Sequence, residues 1–219
     1  MKRDLMQIRW PVIAVLFWVF TTASAQETFT EVLSQVSFPK KITLQYQDST
    51  HTLVATGASA KKRLRRDKQP SGSAVSEQRS ICTVAHYMEN PPQAEEQKIY
   101  GLIWESRDAK IFVVNFNLSI PAGKIKDWFL LQAEKAEPVG SKRVQKSLQE
   151  FANLFAGSFQ ADERCQIQWR ADGTTLVVMP DGTEKTIADP GFAPFWWKLW
   201  LGEKSQFDRA DLVNRIITF

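Results

Sequence analysis

The sequence has little of what builds metal sites and nucleophilic centres. Its 219 residues include two histidines, His51 and His86, and two cysteines, Cys82 and Cys165. No CxxC, HExxH or His/Cys cluster at ligand spacing occurs, so no metal and no cofactor are expected. No GxSxG elbow and no phosphate-cradling glycine loop occur either, which removes the common serine-hydrolase and nucleotide-binding classes. Carboxylates are scattered, with no readable acid–base pair. The even cysteine count of an exported chain allows one disulfide. Two separate thiols packed in strands as small hydrophobes is the other reading.

Long apolar runs are also missing. The longest, Trp10 to Phe20, has 11 residues, short of the roughly 20 that cross a bilayer as a helix. It follows Lys2, Arg3 and Arg9 and precedes Ala23-Ser24-Ala25. These are the charged, apolar and small-residue parts of a secretory signal. The expectation is a signal peptide over 1–25, an uncleaved anchor being the alternative. A mature chain from Gln26 would be periplasmic or secreted. Residues 26–219 then form a single domain, large enough for a core of its own.

A strong excess of one charge is lacking too. The whole chain carries 28 basic and 24 acidic residues. The leader holds three of the basic and one of the acidic, which leaves 25 and 23. No nucleic-acid partner is therefore expected. Six basic residues are concentrated in Lys61-Lys-Arg-Leu-Arg-Arg-Asp-Lys68. With the polar Gln-Pro-Ser-Gly-Ser that follows, the composition predicts a basic, mobile surface insertion at about 62–79. It is read either as a solvated loop or as an attachment to an anionic membrane surface through Lys61–Lys68.

What is present is period-two and helical patterning in blocks. Lys41 to Tyr46 alternates as a half-buried strand does, and His51 to Ala60 reads as a second strand broken at Gly57. Val32, Val36 and Phe38 suggest a short strand before them. Ile81 to Met88 is a strand, and β-branched Lys110 to Asn117 is a central one. Ile99 to Trp104 is either a strand or a helix end. Two helices follow, one capped by Ser119 with Ile125, Trp128, Phe129 and Gln132 on a face and ended by Pro138-Val-Gly140. The second is capped by Ser141, with Val144, Leu148, Phe151 and Phe155 inward. Arg164–Arg170, Thr174–Met179 and Thr183–Ala188 form a meander with Asp-Gly turns.

The heaviest apolar element comes after the meander. In Asp189 to Gly202, Phe192, Phe195, Trp196, Leu199 and Trp200 share one helical face. Asp189 suits the N-cap, Pro190 the first helical position and Gly202 a left-handed stop. Trp197 falls off the stripe: if exposed it offers a surface to a partner or ligand, and if buried it is architecture like the rest of the helix. A last helix is expected at about Asp208 to Ile217. The element order predicts α+β, a mostly antiparallel sheet with helices on one face.

Several of these runs resemble the chalcone isomerase-like family. They are Leu53-Val-Ala-Thr-Gly-Ala-Ser-Ala-Lys61, Ile81-Cys-Thr-Val-Ala-His-Tyr-Met-Glu89 and Phe116-Asn-Leu-Ser-Ile120. The last part also matches, with Asp172-Gly173-Thr174, Gly191-Phe192 and Leu199-Trp-Leu-Gly202. The resemblance covers about Phe38 to Ile217 and is to the exported, bacterial-type members. It implies an open-faced β-sandwich, a large antiparallel sheet covered on one face by a layer of helices.

The family's enzymes use an Arg, a Thr and a Tyr to cyclise chalcones. The matching positions here are Lys61, Cys82 and Asn117, so isomerase activity is not expected. Related members bind fatty acids. The resemblance thus implies a non-catalytic protein holding a fatty acid or other amphipathic small molecule between sheet and helices. Lys61 would meet the head group, and Cys82 and Asn117 would line the cleft. Plain structural roles for all three, in a scaffold or interaction protein with a closed cleft, are the alternative.

Overall fold

The computed structural model describes residues 26–46, 48–68, 74–136 and 141–218, with backbone alone for 62–68, 74–79 and 136. The expected signal over 1–25, Gln47, the tip of the basic insertion at 69–73 and the helix stop at Pro138-Val-Gly140 lie outside the described residues.

Two short strands, β1 (Thr28–Thr30) and β2 (Ser37–Pro39), pair in a hairpin of their own. Seven more make one sheet, antiparallel throughout and in chain order. They are β3 (Lys41–Tyr46), β4 (Ser49–Lys68), β5 (Ala74–Met88), β6 (Lys110–Phe116), β7 (Arg164–Trp169), β8 (Thr175–Val178) and β9 (Glu184–Ile187). Tight reversals join some neighbours, such as Asp181-Gly182 between β8 and β9 with Gly182 at φ +83°, while the β5–β6 and β6–β7 connections are long and carry helices. β6 is the middle strand and is buried along its whole length, as its Ile-Phe-Val-Val sequence predicts.

Four helices complete the chain: α1 (Glu96–Glu105), α2 (Lys124–Ala136), α3 (Lys142–Leu154) and α4 (Phe192–Leu201). The ambiguous Ile99–Trp104 run lies in α1, which buries Ile99, Tyr100 and Ile103. The main core lies between helices and sheet. Phe129 of α2 sits among Phe151, Phe155 and Trp196 at centroid distances of 5.3, 4.8 and 4.9 Å. Burial of each such ring contributes roughly 1.5–3 kcal/mol. A smaller core on the other sheet face joins Phe38 of the β1–β2 hairpin to Leu53, Tyr87 and Ile111. Among the described residues, no helix is long and apolar enough to cross a membrane.

Some local expectations hold. Ser141 caps α3, its side chain accepting from the Val144 amide at 3.2 Å. Others need correction. Ser119 does not cap α2, which begins five residues later; its hydroxyl bonds Gln160 Oε1. Asp189 is not the cap of α4, because Gly191 occupies that position without a side-chain bond. The Asp189 carboxylate instead accepts from the Gly191 amide and from Ser147 Oγ, and pairs with Arg143, tying α4 to α3. Gly202 is extended rather than left-handed, and its lack of a side chain answers to space: a Cβ there would meet Lys198 O at 2.4 Å.

The basic insertion is not loop where its backbone is described. β4 continues to Lys68 and β5 begins at Ala74, paired in register from Lys62↔Ser80 to Lys68↔Ala74. Two strands already paired below it extend the ladder regardless of side-chain composition.

The expected last helix is absent. Residues from Asp208 onward form turns, and the Asp208 amide, the Leu212 carbonyl and the Arg215 amide are bonded to β4. Beyond the bulge at Ala55/Gly57, alternation puts Gly57, Ser59 and Lys61 in one row. Ser59 Oγ accepts from the Asp208 amide. Thr56 bonds the backbone of Leu212 and Arg215. Gly57 admits this crossing, since a Cβ there would lie 2.1 Å from Asp211 O.

Of the two readings of Trp197, the structure shows the buried one, with the residue fully enclosed. It packs on Phe112 at 4.9 Å and Trp169 at 5.4 Å, and its Nε1 lies 3.1 Å from His86 Nε2. An indole N–H can only donate, so Nε2 accepts and the histidine proton sits on Nδ1. That Nδ1–H donates to Thr56 Oγ1 at 2.7 Å, and Thr56 donates to Leu212 O at 2.7 Å. One chain of bonds therefore links α4, β5, β4 and the last turns.

Burial, with a smaller contribution from Lys110, pulls the His86 pKa down to about 3, so the folded ring stays neutral. The unfolded ring titrates near its ordinary 6.5. Below that pH the unfolded chain takes a proton that the folded chain refuses. The stability held by neutral His86 is therefore complete above about pH 6.5 and is lost as pH falls toward 3. Urea unfolding across this window is expected to show a loss of a few kcal/mol, and His86→Gln should flatten the part of the slope that this residue causes.

Candidate functional site

The helix face of the sheet carries a cavity of about 440 Å³ under α2. β4, β5 and β6 supply Lys61, Ile81, Cys82, Val114 and Phe116; the link to α2 supplies Leu118, Ser119, Ile120 and Pro121. Lys124, Ile125, Trp128 and Phe129 of α2 and Trp200 of α4 complete the wall. Cys82, Val114, Phe116, Phe129 and Trp200 are buried, while Leu118, Ser119, Pro121 and Lys124 are exposed and form a solvent-facing rim. A largely apolar wall of this size with few polar groups is the usual form of a small-molecule site.

Strand pairing explains how sequence-distant residues meet. Lys61, Cys82 and Phe116 are Cα partners in one row across β4, β5 and β6. Lys61 is half-buried, and its Nζ bonds Gln206 Oε1 at 2.7 Å and Gln206 O at 3.4 Å. Its pKa is lowered, chiefly by burial and further by Lys135, with Cys82 acting the other way. No carboxylate among the described residues pairs with it. The indole N–H of Trp200 is also buried without a hydrogen-bond partner. The site thus holds a cation that pairs with no carboxylate among the described residues.

Of the three residues expected at the cleft, Lys61 and Cys82 line the cavity and Asn117 does not. Asn117 Nδ2 donates to Ser80 Oγ at 2.7 Å and to Thr83 Oγ1 at 2.8 Å, and its Oδ1 accepts from Asn115 Nδ2. Asn115 in turn accepts from Arg164. Side chains alternate along a strand. With Val114 and Phe116 facing the cavity, the Asn115–Asn117 ladder belongs to the opposite face.

The cysteines are free. Cys82 pairs with Phe116 on one side of β6, and Cys165 pairs with Val114 on the other. Two strand spacings, roughly 9–10 Å, separate their strands, beyond the reach of about 7 Å that a disulfide allows. Burial pushes the Cys82 thiol up to about 12 and raises Cys165 as well, so neither is an activated nucleophile. Lys110 is the other buried cation. Its Nζ bonds Ser106 O and stands 3.9 Å over the Trp169 ring, away from the cavity, with its pKa drawn down to about 8 by burial.

Sequence reasoning did not anticipate the rim from Leu118 to Lys124. The available signal was a large apolar residue, Leu118, between a buried strand and a helix that carries a lysine in its first turn.

No family model matches the sequence, and no curated protein does so. Among solved structures, the chain resembles the fatty-acid binding protein AtFAP1 of Arabidopsis thaliana, with a TM-score of 0.64 and 14% identity. The match covers 87% of this chain and 97% of that chain. At this identity the likeness is one of fold. The fold is the chalcone isomerase-like open-faced sandwich that the sequence motifs implied.

Proposed function

We propose that this chain is a non-catalytic binding protein that holds a fatty acid or related amphipathic carboxylate in the cavity between sheet and α2. The observation that carries the reading is Lys61: a half-buried cation on an apolar cavity, bonded to Gln206 oxygens and paired with no carboxylate among the described residues. A carboxylate there would gain a charge-assisted bond, while its acyl chain lies against Ile81, Val114, Phe116 and Ile125. The likeness to a plant fatty-acid binding protein points the same way. A scaffold with a closed cleft is disfavoured by the space that the cavity leaves. An isomerase is disfavoured by Lys61 and Cys82 standing where the enzymes have Arg and Thr, and by Asn117, at the Tyr position, lying outside the cavity.

Two finer parts belong to the same reading. The sequence of residues 1–25 supports export with the mature chain starting at Gln26, which the intact mass of the purified protein reads. The basic stretch from Lys61 to Lys68 lies on the ribbon that β4 and β5 extend from the cavity row. We read that ribbon as an attachment to anionic lipid, each basic residue near the surface contributing about 1 kcal/mol.

Calorimetric titration with dodecanoate is expected to show saturable binding that Lys61→Met weakens about tenfold or more and Lys61→Arg largely keeps. Affinity unchanged in Lys61→Met removes Lys61 from the head-group role. In flotation assays the protein should rise with phosphatidylglycerol vesicles and not with phosphatidylcholine alone. Equal behaviour with both rejects the membrane attachment.

A further inference from the structure

The cavity carries a second cation that the head-group reading leaves unused. Lys124, the first residue of α2, lines it together with Lys61. These two lysines are the charged residues of the lining, and no carboxylate among the described residues pairs with either.

The two are set toward opposite ends of the wall that α2 makes. Lys61 Nζ bonds Gln206 Oε1, and Gln206 shares a small pocket with Gln132 in the third turn of α2. Lys124 is eight residues before Gln132, roughly 12 Å along the axis at 1.5 Å per residue. Ile125, Trp128 and Phe129 of the same helix present apolar surface to the cavity. The space therefore has a cation toward either end and hydrocarbon between.

We propose that the cavity selects an unbranched apolar chain with an anionic group at each end, an α,ω-dicarboxylate in its simplest form. Lys61 holds one carboxylate and Lys124 the other. This rests on the carboxylate reading above and adds the selectivity of the far end. A pocket that ends in hydrocarbon rejects a diacid, because the second carboxylate would leave water without a partner. A pocket that ends at a solvent-facing lysine accepts it. Lys124 is exposed, so its contribution is that of a surface pair, about threefold to fivefold in affinity.

The test is calorimetric titration of the full chain with dodecanoate, dodecanedioate and dodecyl phosphate, repeated on Lys124→Met and Lys61→Met. Dodecanedioate is expected to bind the unaltered protein at least about threefold more tightly than dodecanoate. Lys124→Met should bring the ratio of the two affinities to one or below, and Lys61→Met should weaken both acids. Preference for dodecanoate in the unaltered protein, or a diacid preference that survives Lys124→Met, overturns the proposal. Dodecyl phosphate binding most tightly, with its advantage lost in Lys124→Met, would put both lysines at one mouth and overturns it as well. Uptake of none of the three rejects the carboxylate reading itself, and this proposal with it.

Discussion

Trp197 donates its indole N–H to a histidine that is fully buried, and neither group has water to fall back on. An unpartnered donor or acceptor in that position would cost about 1–3 kcal/mol. The pairing therefore fixes α4 in rotation and depth against β5. It also fixes the His86 tautomer, hence the bond to Thr56, hence the bond from Thr56 to Leu212. One polar chain inside an aromatic core specifies how the helical layer and the last turns sit on the sheet.

The cavity depends on that arrangement. Trp200 is one turn beyond Trp197 on α4 and closes one side of the space. The segment after α4 runs along the row Lys61, Ser59 and Gly57, so anchoring Leu212 on Thr56 and Asp208 on Ser59 delivers Gln206 to Lys61. The opposite wall is set separately, by Phe129 in its nest of Phe151, Phe155 and Trp196. The result is an apolar space edged by a half-buried lysine that pairs with no carboxylate among the described residues. Such a group is costly in a filled core and useful in a ligand site.

Much of the fold was legible because it rests on local rules. Alternation marked the strands, the Asp-Gly pair marked a tight turn, and the Ser141 cap marked the start of α3. The family motifs assigned Lys61 and Cys82 to one cleft, and strand pairing makes them neighbours. Where the reading failed, a longer-range term won. A single helical face was read for α4, but an element enclosed by sheet, α2 and α3 buries Trp197 too. Counting onward from Phe116 picked Asn117, while pleat alternation sends that residue to the opposite face. Composition made residues 62–79 a loop, although over the described 62–68 and 74–79 the two strands paired beneath carry the ladder on. The stretch from Asp208 looked helical by its leucine and isoleucines, yet it forms turns in which the Asp208 and Arg215 amides and the Leu212 carbonyl bond β4.

The central claim is that the space under α2 is a carboxylate site with Lys61 at its head. Native mass spectrometry of the protein purified from the cells that make it tests this most directly. The account predicts a bound aliphatic acid, released on denaturation and lost from Lys61→Met. A protein that is ligand-free in every preparation, and that takes up no aliphatic acid when titrated, would contradict it.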